Sequence, residues 1–460
     1  MAPSLMYSVA DVLAIAKIHP FYSDAQYPPD NDTIQTTREQ AALTYKEGDL
    51  QTQPLLRKKD LYTAIERLVD DTSPQNTYRH NVYTSITGGG GGSNSLFFAT
   101  DAMENRRHRA KFGDFLRNTG VIQHGDWVLT THSAGDLYRS LDLTLETMEN
   151  AGATLLAAGN HMPAFKVVEL LQHYHVNALT GDGSQIVQVV QYISTLKTGR
   201  DKIKLNKILY TSEPLNAVQK AHIYNVLGPV KIYSIIGSAE AGPYGASHPD
   251  LTPTDPNVSY TDFVVDTRIS LFEVLPLSLS ESDRVATCLP EGETGIIAQT
   301  SLARLRNPLV RYLTGDIGSL HRLSEQARAL IPEKDWPFMM MLRLHGRDAR
   351  FSFTWDGEYI EFDKLKTFMS DASLGILQWQ VILDKMEPSK EASLEIRILC
   401  AERTGTLVSR QEIVERLHSF IYIYSSNEHR FCTTFVDDIN GFERSDTGRK
   451  VIKFVDRFTT

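Results

Sequence analysis

The pattern of apolar and polar positions between residues 126 and 236 predicts an alternation of helices and strands. Apolar runs of strand length follow turn residues, and segments with apolar residues at helical spacing separate them. The predicted strands are 126–130, 154–157, 178–179, 207–210 and 231–236, and the helices between them are 138–151, 164–173, 185–196 and 217–226. Such alternation is typical of a parallel-rich sheet covered by helices on both faces.

The pattern differs on either side of this region. Before it, helices are predicted at 9–18, 60–70 and 101–119, with a loop after residue 28, and after residue 243 short strands predominate. The last block mixes strands at 378–383 and 394–399 with a helix at 409–421. We therefore predict an α/β protein with a large multi-layered N-terminal domain, 1–345, of parallel-rich sheets and helices, and a small α+β C-terminal domain, 346–460.

Composition narrows the classes of ligand. The 460 residues carry a formal net charge of −9, which argues against nucleic acid or an anionic membrane as a partner. The three cysteines, Cys288, Cys400 and Cys432, are far apart and form no CxxC pair, which indicates a reducing, metal-free interior. The start of the chain has no secretory pattern, and no apolar run is long enough to span a bilayer. We expect a soluble cytoplasmic protein that binds small molecules.

The most unusual segment is the glycine run from Gly88 to Gly92, preceded by Thr84, Ser85 and Thr87. Consecutive glycines cannot form the interior of a helix or strand, so this segment is predicted to be a loop. Backbone N–H groups of such a loop between a strand and a helix can converge on a phosphate. The loop lacks the lysine of a P-loop and matches no dinucleotide fingerprint. A flexible surface linker remains an alternative.

Four later segments follow along the chain and contain polar and glycine-rich motifs: 210–215, 233–242, 308–316 and 444–453. Together with the loop at 84–93, they resemble the motifs of the adenylate-forming (ANL) superfamily, and most closely its phenylacetate-CoA ligase-like branch. The likeness covers nearly the whole chain. It implies ATP-dependent formation of an acyl-adenylate, and a mobile C-terminal domain that carries the catalytic lysine and rotates at a hinge beginning near Gly346.

Adenylation requires a carboxylate to attack the α-phosphate of ATP while pyrophosphate leaves, so the site must neutralise phosphate charge and align the reacting groups. The resemblance implies Glu240 beside Mg²⁺, Lys450 as the catalytic lysine, and Arg347 on ribose or phosphate. Asp316 matches the aspartate that holds the ribose hydroxyls. The ordinary alternatives are a strand-end glutamate for Glu240, a turn residue for Asp316 and a solvated basic tail around Lys450.

The remaining candidates surround the nucleotide and the acyl group. Tyr233 is predicted to flank the adenine, unless it is an ordinary core residue. The predicted nucleotide-binding residues are Thr84, Ser85, Thr87, Gly88, Gly89, Ser212, Glu213, Pro214, Tyr233 and Asp316. The predicted wall of the acyl pocket consists of His132, Ser133, Asp136, Tyr138, Ile236 and Gly237. This polar wall favours a hydroxylated or amino-bearing acid, although a buried histidine such as His132 is more often structural.

The sequence also departs from the family pattern. Arg449 shifts the Gly-Lys pair of the tail by one residue, Leu313 replaces a common basic residue, and 348–350 lacks the usual acidic pair. The glycine run lacks its usual lysine. These departures bear on the second half-reaction more than on the first.

The leading hypothesis is an acid–thiol ligase that uses ATP, Mg²⁺ and CoA to convert a small carboxylic acid to its acyl-CoA. One alternative delivers the adenylate to an amine or to a carrier-protein thiol. Another is a non-catalytic nucleotide-binding relative. The oligomeric state is left open.

Overall fold

The structure, a computed structural model, describes residues 6–44, 47–86, 97–135, 137–212, 215–253, 258, 260–279, 283–347, 352–356, 358–389, 391–402, 407–444 and 450–458. The helices within these ranges are α1 (Val9–Ala16), α2 (Asn31–Thr44), α3 (Lys58–Asp70), α4 (Ala102–Asn118), α5 (Ser140–Ala151), α6 (Ala164–His173), α7 (Gly183–Thr195), α8 (Ala217–Leu227), α9 (Glu325–Arg328), α10 (Phe362–Met369) and α11 (Arg410–Ile421).

The strands of the first half are β1 (Val82–Ile86), β2 (Phe97–Asp101), β3 (Trp127–Thr130), β4 (Thr154–Ala157), β5 (Ala178–Asp182), β6 (Lys207–Thr211), β7 (Lys231–Ser238), β8 (Gly242–Ala246), β9 (Thr261–Asp266) and β10 (Ser270–Leu275). Those of the second half are β11 (Gly295–Ser301), β12 (Tyr312–Arg322), β13 (Met339–Arg347), β14 (Ser352–Trp355), β15 (Glu358–Glu361), β16 (Ile376–Met386), β17 (Glu391–Cys400), β18 (Phe431–Phe435) and β19 (Phe454–Asp456).

One large sheet organises the N-terminal part of the chain. Its strand order is β10-β11-β12-β13-β9-β8-β7-β6-β5-β3-β4. The strands from β4 to β7 pair in parallel, and those from β7 to β10 pair antiparallel. The sheet therefore joins the predicted parallel half to the predicted strand-rich half, and the α/β fold class is confirmed.

Helices cover both faces of the parallel half, as the pattern predicts. On one face, Phe112 of α4 and Met148 of α5 pack in a core with Leu209 and Tyr233. The core on the other face contains apolar side chains from α6, α7 and α8. Two buried faces explain why these strands consist of continuous apolar runs.

The C-terminal part forms a separate four-stranded sheet in the order β18-β17-β16-β19. Its own core contains Leu365 of α10 and Ile413 of α11, together with Trp355 of the β14–β15 hairpin. One set of contacts with the N-terminal part involves α8, where the Gln219 amide donates to the Leu377 carbonyl and Leu377 packs among the α7 and α8 side chains. The division at residues 345 and 346 stays a prediction.

The predicted loop after residue 28 is wrong from Asn31 onward, because residues 31–44 form α2. Asp30 precedes the helix, and its carboxylate accepts a hydrogen bond of 2.8 Å from the backbone N–H of Thr33. The helix is mostly exposed and has no clear apolar stripe. It packs beside α1 through few apolar side chains, such as Ile34, so hydrophobic periodicity gave no signal.

The glycine run lies outside the described residues, but its flanks are strands. β1 and β2 pair antiparallel, with Thr84 opposite Ala99 and Ser85 opposite Phe98. The prediction of a loop between a strand and a helix is therefore wrong in one respect, because β2 comes between the run and α4. Thr84 and Ser85 belong to β1 rather than to a loop. None of the helices in the described part of the chain could span a bilayer.

Candidate functional site

Polar residues gather where the parallel strands of the large sheet end. The strands pair in register, so their carboxyl ends lie at the same edge. His132 follows β3, Asp182 ends β5, Ser212 follows β6 and Glu240 follows β7. In open α/β sheets this edge is where ligands bind.

His132, Thr211 and Asp182 form a connected group at this edge. His132 is 2% exposed, and its Nε2 lies 3.2 Å from the hydroxyl of Thr211. The Asp182 Oδ1 atom accepts from the hydroxyls of Ser212 at 2.9 Å and Thr211 at 3.3 Å. Predicted acyl-pocket residues therefore contact the segment that is predicted to line the nucleotide.

The surroundings of His132 favour its neutral imidazole. Burial lowers the pKa of His132 below its usual value, and the nearby positive charge of Lys450 lowers it further, although Asp182 opposes the shift. A neutral imidazole has one nitrogen that donates and one that accepts. This histidine therefore offers the site a hydrogen-bonding group without a charge.

The C-terminal tail reaches the same edge. The Lys450 ammonium lies 3.4 Å from the Tyr138 hydroxyl and 5.7 Å from the centre of the Tyr138 ring. Tyr138 follows Leu137, whose φ of 61° is in the left-handed region, and Ser212 has a φ of 76°. A left-handed backbone conformation at a residue other than glycine costs about 1–3 kcal/mol, and such conformations are concentrated at functional sites. The structure thus brings the predicted catalytic lysine to the predicted acyl pocket.

Glu240 lies in the turn between β7 and β8 and is 6% exposed. Its Oε1 atom accepts hydrogen bonds from the hydroxyls of Tyr62 at 3.0 Å and Tyr312 at 3.1 Å. The buried guanidinium of Arg304 donates to the backbone carbonyl of Glu240. Contacts to α3, to β12 and to a loop after β11 therefore fix this carboxylate, which is not a mobile surface group.

Asp316 and Arg347 face each other across two neighbouring strands. They are partners in the antiparallel register of β12 and β13. Asp316 follows Gly315, which has a φ of 81°, and its backbone N–H donates to the Thr314 hydroxyl at 3.1 Å. Because Tyr312 begins β12, the same strand links Asp316 to Glu240.

A stack of charged and aromatic side chains fixes the strand that leads into the glycine run. The Arg139 and Arg109 guanidinium groups lie 3.9 Å and 4.4 Å from the ring centre of Tyr83 in β1. The hydroxyl of Tyr83 donates to Asp142 at 3.3 Å, and Asp142 also pairs with both arginines. This stack joins β1 to α4 and α5, next to Tyr138.

Three other candidates are placed near the edge in different ways. Ser133 is buried, and its backbone N–H donates a hydrogen bond of 3.1 Å to the Ser140 hydroxyl. Ile236 packs partly against the core beneath β12, and Gly237 is exposed. A Cβ atom at Gly237 would lie 2.8 Å from backbone atoms of Gly242 and Pro243, so this position requires glycine.

Tyr233 does not have the predicted environment. Its side chain is 1% exposed, packs in the core beneath α4 and α5, and contacts the ring of His248 edge-on at 5.1 Å. This placement gives Tyr233 a packing role and does not support a contact with adenine. The remaining predicted residues lie outside the described part of the chain: Thr87, Gly88, Gly89, Asp136, Glu213 and Pro214.

Sequence reasoning missed several residues of the site: Asp182, Thr211, Tyr62, Tyr312 and Tyr83. Asp182 had one readable signal, because it is a carboxylate at the end of an apolar strand and begins a helix. Thr211 and Tyr312 lie within the motif segments 210–215 and 308–316, which gave them a signal but no role, whereas Tyr62 and Tyr83 had neither. Tyr62 is 178 positions from Glu240 along the chain, so only the folded structure shows their contact.

The described residues suit a magnesium ion held mainly by its substrate. They contain no cluster of three or more His, Cys, Asp or Glu side chains that could enclose a metal. Mg²⁺ needs no such cage when one carboxylate, waters and substrate phosphates complete its shell. Glu240 is a fixed carboxylate at the ligand-binding edge, so it is the residue that would hold the ion. When bound, Mg²⁺ would neutralise phosphate oxygens.

The sequence matches no protein-family model and no curated protein sequence. Solved structures of 2-hydroxyisobutyryl-CoA ligase share the fold. Its postadenylation state, in complex with 2-HIB-AMP, has a TM-score of 0.64 at 18% identity, covering 97% of this chain and 88% of that chain. Its thioesterification state, in complex with 2-HIB-AMP and CoA, has a TM-score of 0.55 at the same identity and coverage.

The chain therefore has the two-domain fold of this AMP-forming ligase along nearly its whole length. The resemblance to adenylate-forming enzymes is confirmed at the level of fold. The phenylacetate-CoA ligase-like branch stays a prediction.

Proposed function

We propose that this protein activates a small carboxylic acid with ATP, forming an acyl-adenylate and releasing pyrophosphate. A carboxylate oxygen attacks the α-phosphorus, a new P–O bond forms, and the bond to the oxygen bridging the α- and β-phosphates breaks. Pyrophosphate leaves with that electron pair. The observation that carries the proposal is the position of Lys450, whose ammonium comes from the far end of the chain to Tyr138 at the ligand-binding edge.

In this proposal, each group of the site has one task. Lys450 approaches the α-phosphate and the acid's carboxylate and offsets the negative charge that develops between them. Asp316 accepts hydrogen bonds from the ribose hydroxyls, and its strand neighbour Arg347 contacts ribose or phosphate. The segment at Ser212 and the glycine run line the base and the phosphates. Tyr138, His132 and Ser133 surround the acyl group.

The domain arrangement resembles one state of the CoA ligase more than the others. The TM-score with that enzyme is 0.64 in its postadenylation state but 0.55 in its thioesterification state and 0.54 in its open conformation. The chain is thus closer to the postadenylation state. We further propose CoA as the acyl acceptor, reached after the C-terminal domain rotates.

Pyrophosphate exchange tests the proposal. The protein is incubated with ATP, Mg²⁺, radiolabelled pyrophosphate and a panel of amino, hydroxy, aryl and fatty acids, and the incorporation of label into ATP is measured. At least one acid is expected to support exchange, because exchange requires reversible adenylation. CoA or amines added afterwards identify the acceptor. Nucleotide binding without exchange for any acid would instead favour a non-catalytic relative.

Asp316→Ala is expected to weaken ATP binding. Each hydrogen bond to a charged group contributes about 1.5–3 kcal/mol, so losing a ribose contact is expected to raise the KM for ATP by about 10- to 100-fold. Asp316→Asn, which keeps one acceptor oxygen, should have a smaller effect. The exchange rate is measured against ATP concentration for both variants. An unchanged KM in the alanine variant would contradict the ribose role.

Tyr83→Leu tests whether the arginine stack positions the glycine run. Two cation–π contacts of about 0.5–2 kcal/mol each hold β1 against α4 and α5, so the KM for ATP is expected to rise by about 10-fold. The turnover number should change less, because Tyr83 does not touch the reacting atoms. Tyr7→Leu is a suitable control, since the guanidinium of Arg38 also lies over the Tyr7 ring, at 5.0 Å, but Tyr7 precedes α1 and is not part of β1. Equal effects of the two variants on KM would argue against a positioning role.

A further inference from the structure

The carboxyl edge of the sheet contains a buried carboxylate with an unused oxygen. Asp182 is 2% exposed, and both of its hydroxyl donors, on Ser212 and Thr211, approach Oδ1. The Oδ2 atom is buried and has no hydrogen-bond partner. Leaving a buried acceptor unsatisfied costs about 1–3 kcal/mol, so a missing ligand group is a physical explanation for it.

Other unsatisfied acceptors accompany Asp182 on the same face of the sheet. Thr180 is two residues earlier in β5 and therefore points to the same side, and its hydroxyl is buried without a partner. His132 lies on the same face, and its buried Nδ1 has no side-chain partner. His132 is close enough to Asp182 for the carboxylate to affect its pKa. Asp182, Thr180 and His132 therefore lie on one face of the sheet, where each could form a further hydrogen bond.

The negative charge of the Asp182 carboxylate would be stabilised by a bound cation. The described residues give Asp182 only neutral donors, the hydroxyls of Thr211 and Ser212 and the backbone N–H of the capping box, and no ammonium or guanidinium. The surroundings of His132 favour its neutral form, and the Lys450 ammonium lies against Tyr138. A buried carboxylate is costly unless a positive charge pairs with it. A protonated amine would supply that charge and up to three N–H donors, which a carboxylate oxygen, an imidazole nitrogen and a hydroxyl can accept.

We propose that the acid activated at this site carries an aliphatic amino group, whose ammonium binds Asp182 Oδ2 beside His132 and Thr180. This inference rests on the proposed adenylation and adds the class of substrate, an amino acid. Asp182 would be a specificity-determining residue that discriminates against acids without the amine, because those acids leave its charge unpaired.

A structural role for Asp182 makes a different prediction. Asp182 is the N-cap residue of α7 and forms a capping box with Gln185. Asparagine and aspartate are about equally good N-caps. Asp182→Asn therefore keeps the cap and the size of the side chain, and removes only the negative charge. If Asp182 is only a cap, this variant should behave as wild type.

The test compares matched acids in pyrophosphate exchange with saturating ATP. Each set contains an amino acid, its hydroxy analogue and its unsubstituted analogue, such as alanine, lactate and propionate, or phenylalanine, phenyllactate and phenylpropionate. The amino member is expected to have a kcat/KM at least about 30-fold above both analogues, the scale expected for a desolvated charge pair. Asp182→Asn should lower the amino acid's kcat/KM by about 30-fold or more without lowering that of either analogue, because the unpaired charge that disfavours the analogues is gone. Asp371→Asn is the control, because Asp371 is an acidic cap in the C-terminal part.

The outcomes separate the two proposals. Equal exchange for amino and unsubstituted acids, or an unchanged preference in a folded Asp182→Asn protein, would overturn the amino-acid inference and leave adenylation intact. Absence of exchange with every acid would overturn the proposed function itself. Should Asp182→Asn fail to fold, Asp182→Ser, which also caps a helix, takes its place, and the wild-type preference among matched acids remains a test.

Discussion

Replacing Lys450 with alanine is expected to lower pyrophosphate exchange by about 1000-fold or more, with the fold intact. A positioned cation that offsets charge in a phosphoryl-transfer transition state typically raises the rate by about 1000-fold or more. Lys450 is partly exposed, and its ammonium lies 3.4 Å from the Tyr138 hydroxyl, so the substitution opens no cavity in a buried core. The measurement is the exchange rate with the best acid of the panel, together with the melting temperature.

The neighbouring basic residues supply the controls for Lys450. Lys453 is three residues further along and donates to the Gln378 side chain in the C-terminal sheet. Lys453→Ala should therefore affect stability more than chemistry. Arg449→Ala tests the one-residue shift in the tail motif. If Arg449→Ala abolishes exchange while Lys450→Ala retains it, the lysine assignment fails.

Replacing Glu240 with glutamine is expected to lower the exchange rate by about 100-fold or more and to raise the Mg²⁺ concentration required. The amide oxygen of glutamine can still accept from Tyr62 and Tyr312, so the local packing survives. What the variant loses is the negative charge that would hold Mg²⁺, a hard cation that prefers carboxylates. Removing one group that stabilises the charge developing in a transition state typically lowers the rate by about 100-fold or more.

Another buried glutamate nearby provides a matched control for Glu240. Glu104 of α4 is 7% exposed, and its Oε1 accepts from the backbone N–H groups of Leu305 and Arg306. Glu104→Gln keeps these bonds, so exchange and Mg²⁺ dependence should stay within about twofold of wild type. If both glutamine variants reduced exchange equally, a general effect of replacing a buried glutamate would explain the Glu240 result, and the metal role of Glu240 would be lost.

Much of the fold could be predicted because its elements follow from local patterns. Strand 154–157 and helix 164–173 have the predicted bounds, and most other elements differ by one or a few residues. β5 and β6 are buried almost throughout and appear as apolar runs between turns, whereas the edge strand β4 is only partly buried. α2 could not be predicted in this way, since it is exposed and carries no apolar stripe.

The site could be predicted only in part. The motifs named residues by type and order, and the structure joins Lys450 to Tyr138 and places Asp316 opposite Arg347. It also puts Tyr233 in the core, where an aromatic residue in the middle of a buried strand belongs. A motif indicates that a residue is near a ligand, but the direction of its side chain depends on the alternation of the strand.

The sequence by itself determined the helices, the strands and the order of the polar segments, because these depend on neighbours a few positions apart. Only the tertiary structure decided which side chains meet. Lys450 and Tyr138 are 312 positions apart, and Tyr62 reaches Glu240 across 178. Strand pairing and the docking of the C-terminal part bring them together, and burial then leaves Asp182 with an oxygen that no part of the described chain satisfies.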